Sequence, residues 1–317
     1  MTYLYHLSPY KFDILKPKSI VQEDPEEKRL CSYAVSLEFL TIGFCFSKSV
    51  GFSSFVTGDE DVNYYEGQVS LPINDDYQGF IYAVDSRSFT PTNEHRYISF
   101  EDVEIEYCLP VRMNYFISYL EKDNNQLKIY FDSNKVKKLR NILVYLNEIN
   151  DILNNPLFNN FKSQALNIIN NLIQNYQRYN FTSHFHGIEH SLAVIRNILL
   201  IMQELEQTNN ILELIFAGGY HDCGRSLDLN NKDHGFYSSL LSERFAPDYL
   251  NKELSKILMI FHDNENVAKN DETISILRDA DILDLQRLNI QIDLNKTYYK
   301  DIIERILNSN NSNDLKK

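Results

Sequence analysis

Up to about residue 118 the apolar positions come in short runs rich in β-branched and aromatic side chains, separated by Gly, Pro, Asn and Asp. The clearest runs lie at 2–7, 43–46, 67–71, 79–84 and 103–109. Runs of this kind bounded by turn residues predict strands. From Lys135 onward apolar residues recur at three- and four-residue spacing, broken at Asn154-Asn155, Asn209-Asn210 and Asn230-Asn231. That rhythm predicts helices, most clearly over 186–205, 211–220 and 254–261. The polar, Asn-rich stretch 121–127 reads as a seam. The expected architecture is an α+β domain over residues 1–122 followed by an all-α domain over 123–317, with 127–131 open as one more strand. The polar tail 308–317 is expected to fray, and no internal repeat is found.

The length of 317 residues suffices for two domains of about 100 to 200 residues each. With 43% apolar residues, 21 Tyr and 19 Phe, the chain has ample material for packed cores and lacks the composition of a disordered protein. Its four cysteines, Cys31, Cys45, Cys108 and Cys223, show neither a disulfide framework nor CxxC spacing. A reducing, cytoplasmic location is therefore expected. No apolar run reaches the roughly 18 residues of a membrane span, and residues 1–16 lack the pattern of a signal peptide. The 31 basic and 44 acidic residues leave a net charge of −13, which disfavours duplex nucleic acid and anionic membranes as partners.

The candidate chemistry lies in the helical half. His186 and His190 are four residues apart, so a helix through both sets their imidazoles on one face. The helix over 211–220 delivers His221-Asp222 at its C-terminal end, with Gly224 expected as its C-cap. His234, His262 after the helix at 254–261, and Asp281 within Asp279-Ala-Asp-Ile-Leu-Asp284 complete the set. Any one such histidine is unremarkable, but six of the eight in the chain lie between residues 184 and 262. Imidazole nitrogen with carboxylate oxygen suits divalent transition metals, and thiolates are not required.

The order His190, His221-Asp222, Asp281 resembles the HD-domain superfamily of metal-dependent phosphohydrolases over about residues 180–290. Glu189-His-Ser-Leu-Ala-Val194 looks like the first-ligand helix, His221-Asp-Cys-Gly-Arg225 like the signature dipeptide, and Asp279 to Asp284 like the last-ligand helix. The resemblance implies that His190, His221, Asp222 and Asp281 hold one ion. His234 and His262 would then either bind a second ion bridged by Asp222 or contact substrate phosphate. One or two divalent ions among Mn, Fe, Co, Ni, Zn and Mg are implied. Such an ion acidifies bound water and neutralises a phosphoryl oxygen, so hydrolysis of a phosphate ester or anhydride, of nucleotide type, is the expected reaction. Arg225 is the candidate for stabilising charge in the transition state or binding phosphate, with a solvated loop position as the alternative. His186 is a candidate phosphate contact or general acid, or a hydrogen-bond partner of a ligand. Asp284 reads as such a partner or as a helix charge. Within the same resemblance, diiron oxygenase chemistry and a binding module without turnover stay open. The absence of Gly-Tyr-Pro after His262 disfavours a cyclic-di-GMP-specific member.

The first half opens Tyr3-Leu-Tyr-His6-Leu7-Ser8-Pro9, continues with Phe44-Cys-Phe-Ser47-Lys48, and carries Asn93-Glu94-His95 before a last strand. This is similar to small ADP-ribosyltransferase-like domains. The resemblance implies an NAD cleft, with His6 on a ribose hydroxyl, Ser47 near the nicotinamide and Glu94 as the catalytic acidic residue. Leu7 stands where that pattern has Gly, and a Cβ there restricts close approach of a ligand to the backbone. Glu101, Glu104 and Glu106 compete for the acidic role, and a degenerate domain that binds a ligand without catalysis is the alternative.

Overall fold

The computed structural model describes residues 2–20, 30–37, 40, 45, 51–57, 63–68, 77–92, 96–123, 126–179, 186–225 and 233–314. The chain forms two compact units, Met1–Asn141 and Ile142–Lys317. The first is built on antiparallel sheets and the second on helices.

In the first unit the strands are β1 (Tyr3–Ser8), β2 (Ile14–Leu15), β3 (Ser19–Ile20), β4 (Leu30–Val35), β5 (Gly51–Thr57) and β6 (Asn63–Gln68). They are followed by β7 (Gln78–Asp85), β8 (Thr90–Pro91), β9 (Arg96–Ser99), β10 (Val103–Arg112), β11 (Ile117–Asp123) and β12 (Gln126–Phe131). One sheet runs β2-β10-β7-β1-β4-β9-β8, with β3 added on β4, and a second runs β11-β12-β6-β5. β1 pairs with β7 over its full length, from Tyr3 with Asp85 to Ser8 with Phe80. On one face Leu4, Leu15, Ala34, Val84 and Val103 pack together, with Phe12, Phe89 and Tyr97 against them. Alternation of side chains across a strand places His6 on the same face of β1 as Leu4.

The expected strands at 79–84 and 103–109 are the cores of β7 and β10. Residues 67 and 68 end β6, while 69–71, and 43–46 except for Cys45, lie outside the described residues. The open stretch 127–131 is a strand, β12, whose pairing with β6 ties it to the first unit. For that reason the first unit extends past the seam read near residue 122, to Asn141.

The helices are α1 (Met113–Phe116), α2 (Ser133–Leu153), α3 (Lys162–Tyr179), α4 (Ile188–Glu204) and α5 (Ile211–Tyr220). After these come α6 (His234–Ser242), α7 (Lys252–Phe261), α8 (Glu265–Ala268), α9 (Glu272–Asp284) and α10 (Lys300–Asp314). In the second unit α4 packs against α5 and α9, α5 against α3 and α7, and α6 against α7. The stripe Leu192, Val194, Ile195, Ile198, Leu199, Ile201 and Met202 buries α4 on nearly every side, so it is the central helix. Of the polar tail, residues up to Asp314 belong to α10 and 315–317 lie outside the described residues. No helix among the described residues is long and apolar enough to cross a membrane.

Candidate metal centre

Helix ends of the second unit converge on one point. His190 lies in the first turn of α4, His221 and Asp222 follow α5, His234 opens α6, His262 follows α7, and Asp281 lies in the last turn of α9. His190, His221, Asp222, His234 and His262 are each at most 4% exposed. The side chains of His186, Arg225 and Asp281 are 29%, 22% and 31% exposed, so these three form the solvent side of the cluster. His186 is not on α4, contrary to the i, i+4 reading, because Gly187 is the N-cap in an extended conformation and the helix starts at Ile188. Its Nδ1 still lies 2.6 Å from Asp222 Oδ2.

The hydrogen bonds behind the cluster fix what faces into it. His190 Nδ1 is 2.7 Å from Asp284 Oδ2, His221 Nδ1 is 2.9 Å from the Gly218 carbonyl, and His262 Nδ1 is 2.7 Å from the Met259 carbonyl. Carbonyl and carboxylate oxygens accept, so each Nδ1 carries the hydrogen and each neutral ring turns an Nε2 lone pair inward. His190 Nε2 and His221 Nε2 then face one another at 3.1 Å, with Asp281 Oδ1 at 3.4 and 3.6 Å and Asp222 Oδ2 at 3.4 and 3.7 Å. Two imidazole edges and two carboxylates at these separations repel unless a proton or a metal ion lies among them. Potential ligand atoms of His190, His221 and Asp281 lie within 4.8 Å of one another, as do those of His186, His190 and Asp222 and those of His221, Asp222 and His262. This buried cluster could hold a metal ion, and the fit rests on the donor set itself.

The second lobe is centred on the other oxygen of Asp222. His234 Nε2 is 3.3 Å and Arg225 Nε 2.7 Å from Asp222 Oδ1. His234 Nε2 is also 3.1 Å from both Arg225 Nη2 and His262 Nε2. Gly224, expected as the C-cap of α5, is not it: His221 is the C-cap, and no described glycine has a positive φ. It is needed for close approach instead, since a Cβ there would lie 2.5 Å from the Ser238 backbone nitrogen of α6.

Charge is finely balanced. Burial of His190 opposes its protonation, but hydrogen bonds to Asp222 and Asp284 and the charge of Asp281 overcome that and raise its pKa to about 10. Burial is likewise outweighed at His221, raised by the charge of Asp222 and the hydrogen bond to Asp281. His262 is pushed down to about 4 by burial and by the charge of His221. Burial would raise Asp222 and Asp281, yet the surrounding imidazoles hold both below the usual carboxylate range.

Behind the cluster stand Asp284, which the sequence reading takes as a partner of a ligand or a helix charge and which does bond His190, and Asp279, to which it gives no role. Asp284 takes Arg287 as well as His190, its Oδ2 lying 2.9 Å from Arg287 Nη2. Asp279, fully buried, accepts from the backbone N–H groups of Tyr298 and Tyr299 at 2.9 and 2.8 Å, anchoring the start of α10 to the helix that bears Asp281. In the first unit His6 donates from Nδ1 to the Tyr33 carbonyl at 2.6 Å and packs against Phe12 and Tyr82. Burial lowers its pKa, partly offset by that bond. Ser47 and Glu94 lie outside the described residues, so of the three residues expected to line an NAD cleft only His6 has a described position. Comparison of the chain with protein-family models, curated proteins and solved structures finds no match.

Proposed function

We propose that the helical unit is a metal-dependent phosphohydrolase acting on a phosphate ester or anhydride of nucleotide type. The observation that carries this reading is the trio His190, His221 and His262, each fixed through Nδ1 so that Nε2 is left to face the cluster around Asp222. His190, His221, Asp222 and Asp281 would hold a divalent ion, with Mn, Fe, Co, Ni, Zn and Mg as candidates. Bound there, such an ion supplies Lewis acidity and makes a neighbouring water a better nucleophile at neutral pH.

The chain's own residues supply the rest. Asp284 fixes the His190 tautomer and adds basicity to the ring. His186 sits at the solvent side beside Asp222, where an imidazole can exchange a proton with a leaving oxygen. The Arg225 guanidinium, on the solvent side of the cluster, favours an anionic substrate over a neutral one. The buried floor made by His221, His234 and His262 keeps bulk water from the back of the site.

A turnover screen tests the reading. Metal-free protein would be reloaded with each candidate ion and offered nucleotides, cyclic and linear dinucleotides, and simple phosphate esters, with products identified by mass spectrometry. Phosphate release that depends on added metal and disappears in Asp222→Ala is expected. Absence of metal-dependent turnover across the whole panel would overturn the assignment.

A further inference from the structure

The two oxygens of Asp222 serve different neighbours. Oδ2 faces His186, His190 and His221, while Oδ1 faces His234 Nε2 at 3.3 Å and Arg225 Nε at 2.7 Å. A guanidinium has donors only, so at 3.1 Å it donates from Nη2 into the His234 Nε2 lone pair. The Met259 carbonyl fixes His262 with its Nε2 lone pair turned to the same place, 3.1 Å from His234 Nε2. Asp222 Oδ1, His234 and His262 thus form a second set of one oxygen and two nitrogens, of the same composition as a divalent-ion site. The cation found in that set is the side chain of Arg225.

The arrangement is held from both sides. Gly224 lets the chain press onto α6, with its N–H donating to Ser238 Oγ at 2.8 Å, and a Cβ at that position would collide with the α6 backbone. The Arg225 N–H donates to the Asp222 carbonyl at 3.0 Å, so the guanidinium is tethered next to the carboxylate it neutralises. Its fork spans Asp222 and His234 together, which an ammonium point charge does less well.

We propose that Arg225 is the built-in second cation of this centre, so that the chain takes up one divalent ion and the guanidinium occupies the place a second would need. This rests on the metal-centre reading above. A tethered cation does not exchange with solvent, so metal dependence follows a single-site curve, and loss of the guanidinium opens a two-ion site bridged by Asp222.

Manganese counts and spectra test this without reference to activity. Full-length metal-free protein would be titrated with Mn²⁺ by calorimetry, its bound metal counted by elemental analysis, and its electron paramagnetic resonance spectrum recorded. Wild type is expected to saturate at one ion with an uncoupled spectrum. Arg225→Ala is expected to reach two with the signature of an exchange-coupled pair, and Arg225→Ala/His234→Ala to return to one. A coupled pair in wild type, or a single ion in Arg225→Ala that retains the wild-type circular dichroism, overturns the proposal and leaves the metal reading standing. Should Arg225→Ala fail to fold, the wild-type count and spectrum still decide. No Mn²⁺ bound to wild type would instead bring down the metal reading itself, and this inference with it.

Discussion

His190 Nδ1 lies 2.7 Å from Asp284 Oδ2, in a contact that joins the first turn of α4 to the last residue of α9 across 94 positions of sequence. Arg287 holds the same carboxylate with Nε and Nη2, so Asp284 is fixed before it fixes the imidazole. The pair therefore sets which ring nitrogen faces the cluster, and it ties the two helices that carry His190 and Asp281.

Asp284→Ala should lower metal affinity by roughly 10- to 100-fold, the usual range for loss of an outer partner of a ligating histidine. Asp284→Asn keeps an acceptor but not the charge, and its loss should be smaller. Competition with a fluorescent chelator measures both. Equal affinity in wild type and Asp284→Ala would mean that His190 is not a ligand.

Asp222 touches both lobes, whereas His234 belongs to the Oδ1 side alone. Asp222→Ala should therefore abolish most metal uptake, and His234→Ala should leave one ion bound with affinity within a few-fold of wild type. Elemental analysis after gel filtration reads the difference. Full occupancy in Asp222→Ala would reject the shared-carboxylate arrangement.

The sequence marks the inward-facing members of the cluster well, because His190, His221, Asp222 and His262 stand at the ends of apolar helical runs, although the i, i+4 spacing of His186 and His190 does not carry over. It marks their support poorly. His221 and His262 each follow a helix and donate back to a carbonyl three residues earlier, Gly218 and Met259. Backbone acceptors leave no trace in side-chain chemistry, so only the position of a histidine just past a helix hints at them. Asp279 is invisible for a similar reason, since its partners are the N–H groups of Tyr298 and Tyr299. The helical half is readable because its contacts repeat at helical spacing within long segments. In the first half, a short strand such as Ile14–Leu15 exists only through its pairing with Val103 and Glu104, far along the chain, which local pattern does not reveal.

Metal uptake should release protons. The pKa of His190 is raised to about 10 from its ordinary 6.5, so its charge stabilises the metal-free fold below pH 6.5 and that contribution is lost as pH rises toward 10. An ion bound at Nε2 must displace this proton, so affinity should increase with pH over the same window. His262, held near 4, is already neutral at about pH 7 and adds no release. Calorimetry in buffers of different ionisation enthalpy measures the count. Binding heats independent of the buffer would contradict protonation of the metal-free site.

The packing of α6 on α7 provides a last test, one that separates position from chemistry. A Cβ on Gly235 would lie 2.2 Å from the Met259 carbonyl oxygen, and that oxygen is the acceptor that holds His262 Nδ1 at 2.7 Å. Backbone cannot yield as a flexible side chain can, so Gly235→Ala must push α6 away from α7 or move the carbonyl itself. Overpacking of this kind costs about 1–3 kcal/mol, and thermal unfolding should show a corresponding fall in Tm. His234 is the neighbouring residue on α6, so the shift also lengthens its 3.1 Å approach to His262. His190, His221 and Asp281 lie on α4, after α5 and on α9, away from that contact. Gly235→Ala should accordingly lose stability while retaining a bound divalent ion, measured by elemental analysis of the folded protein. Unchanged stability would show that the close approach of the two helices is not maintained in solution.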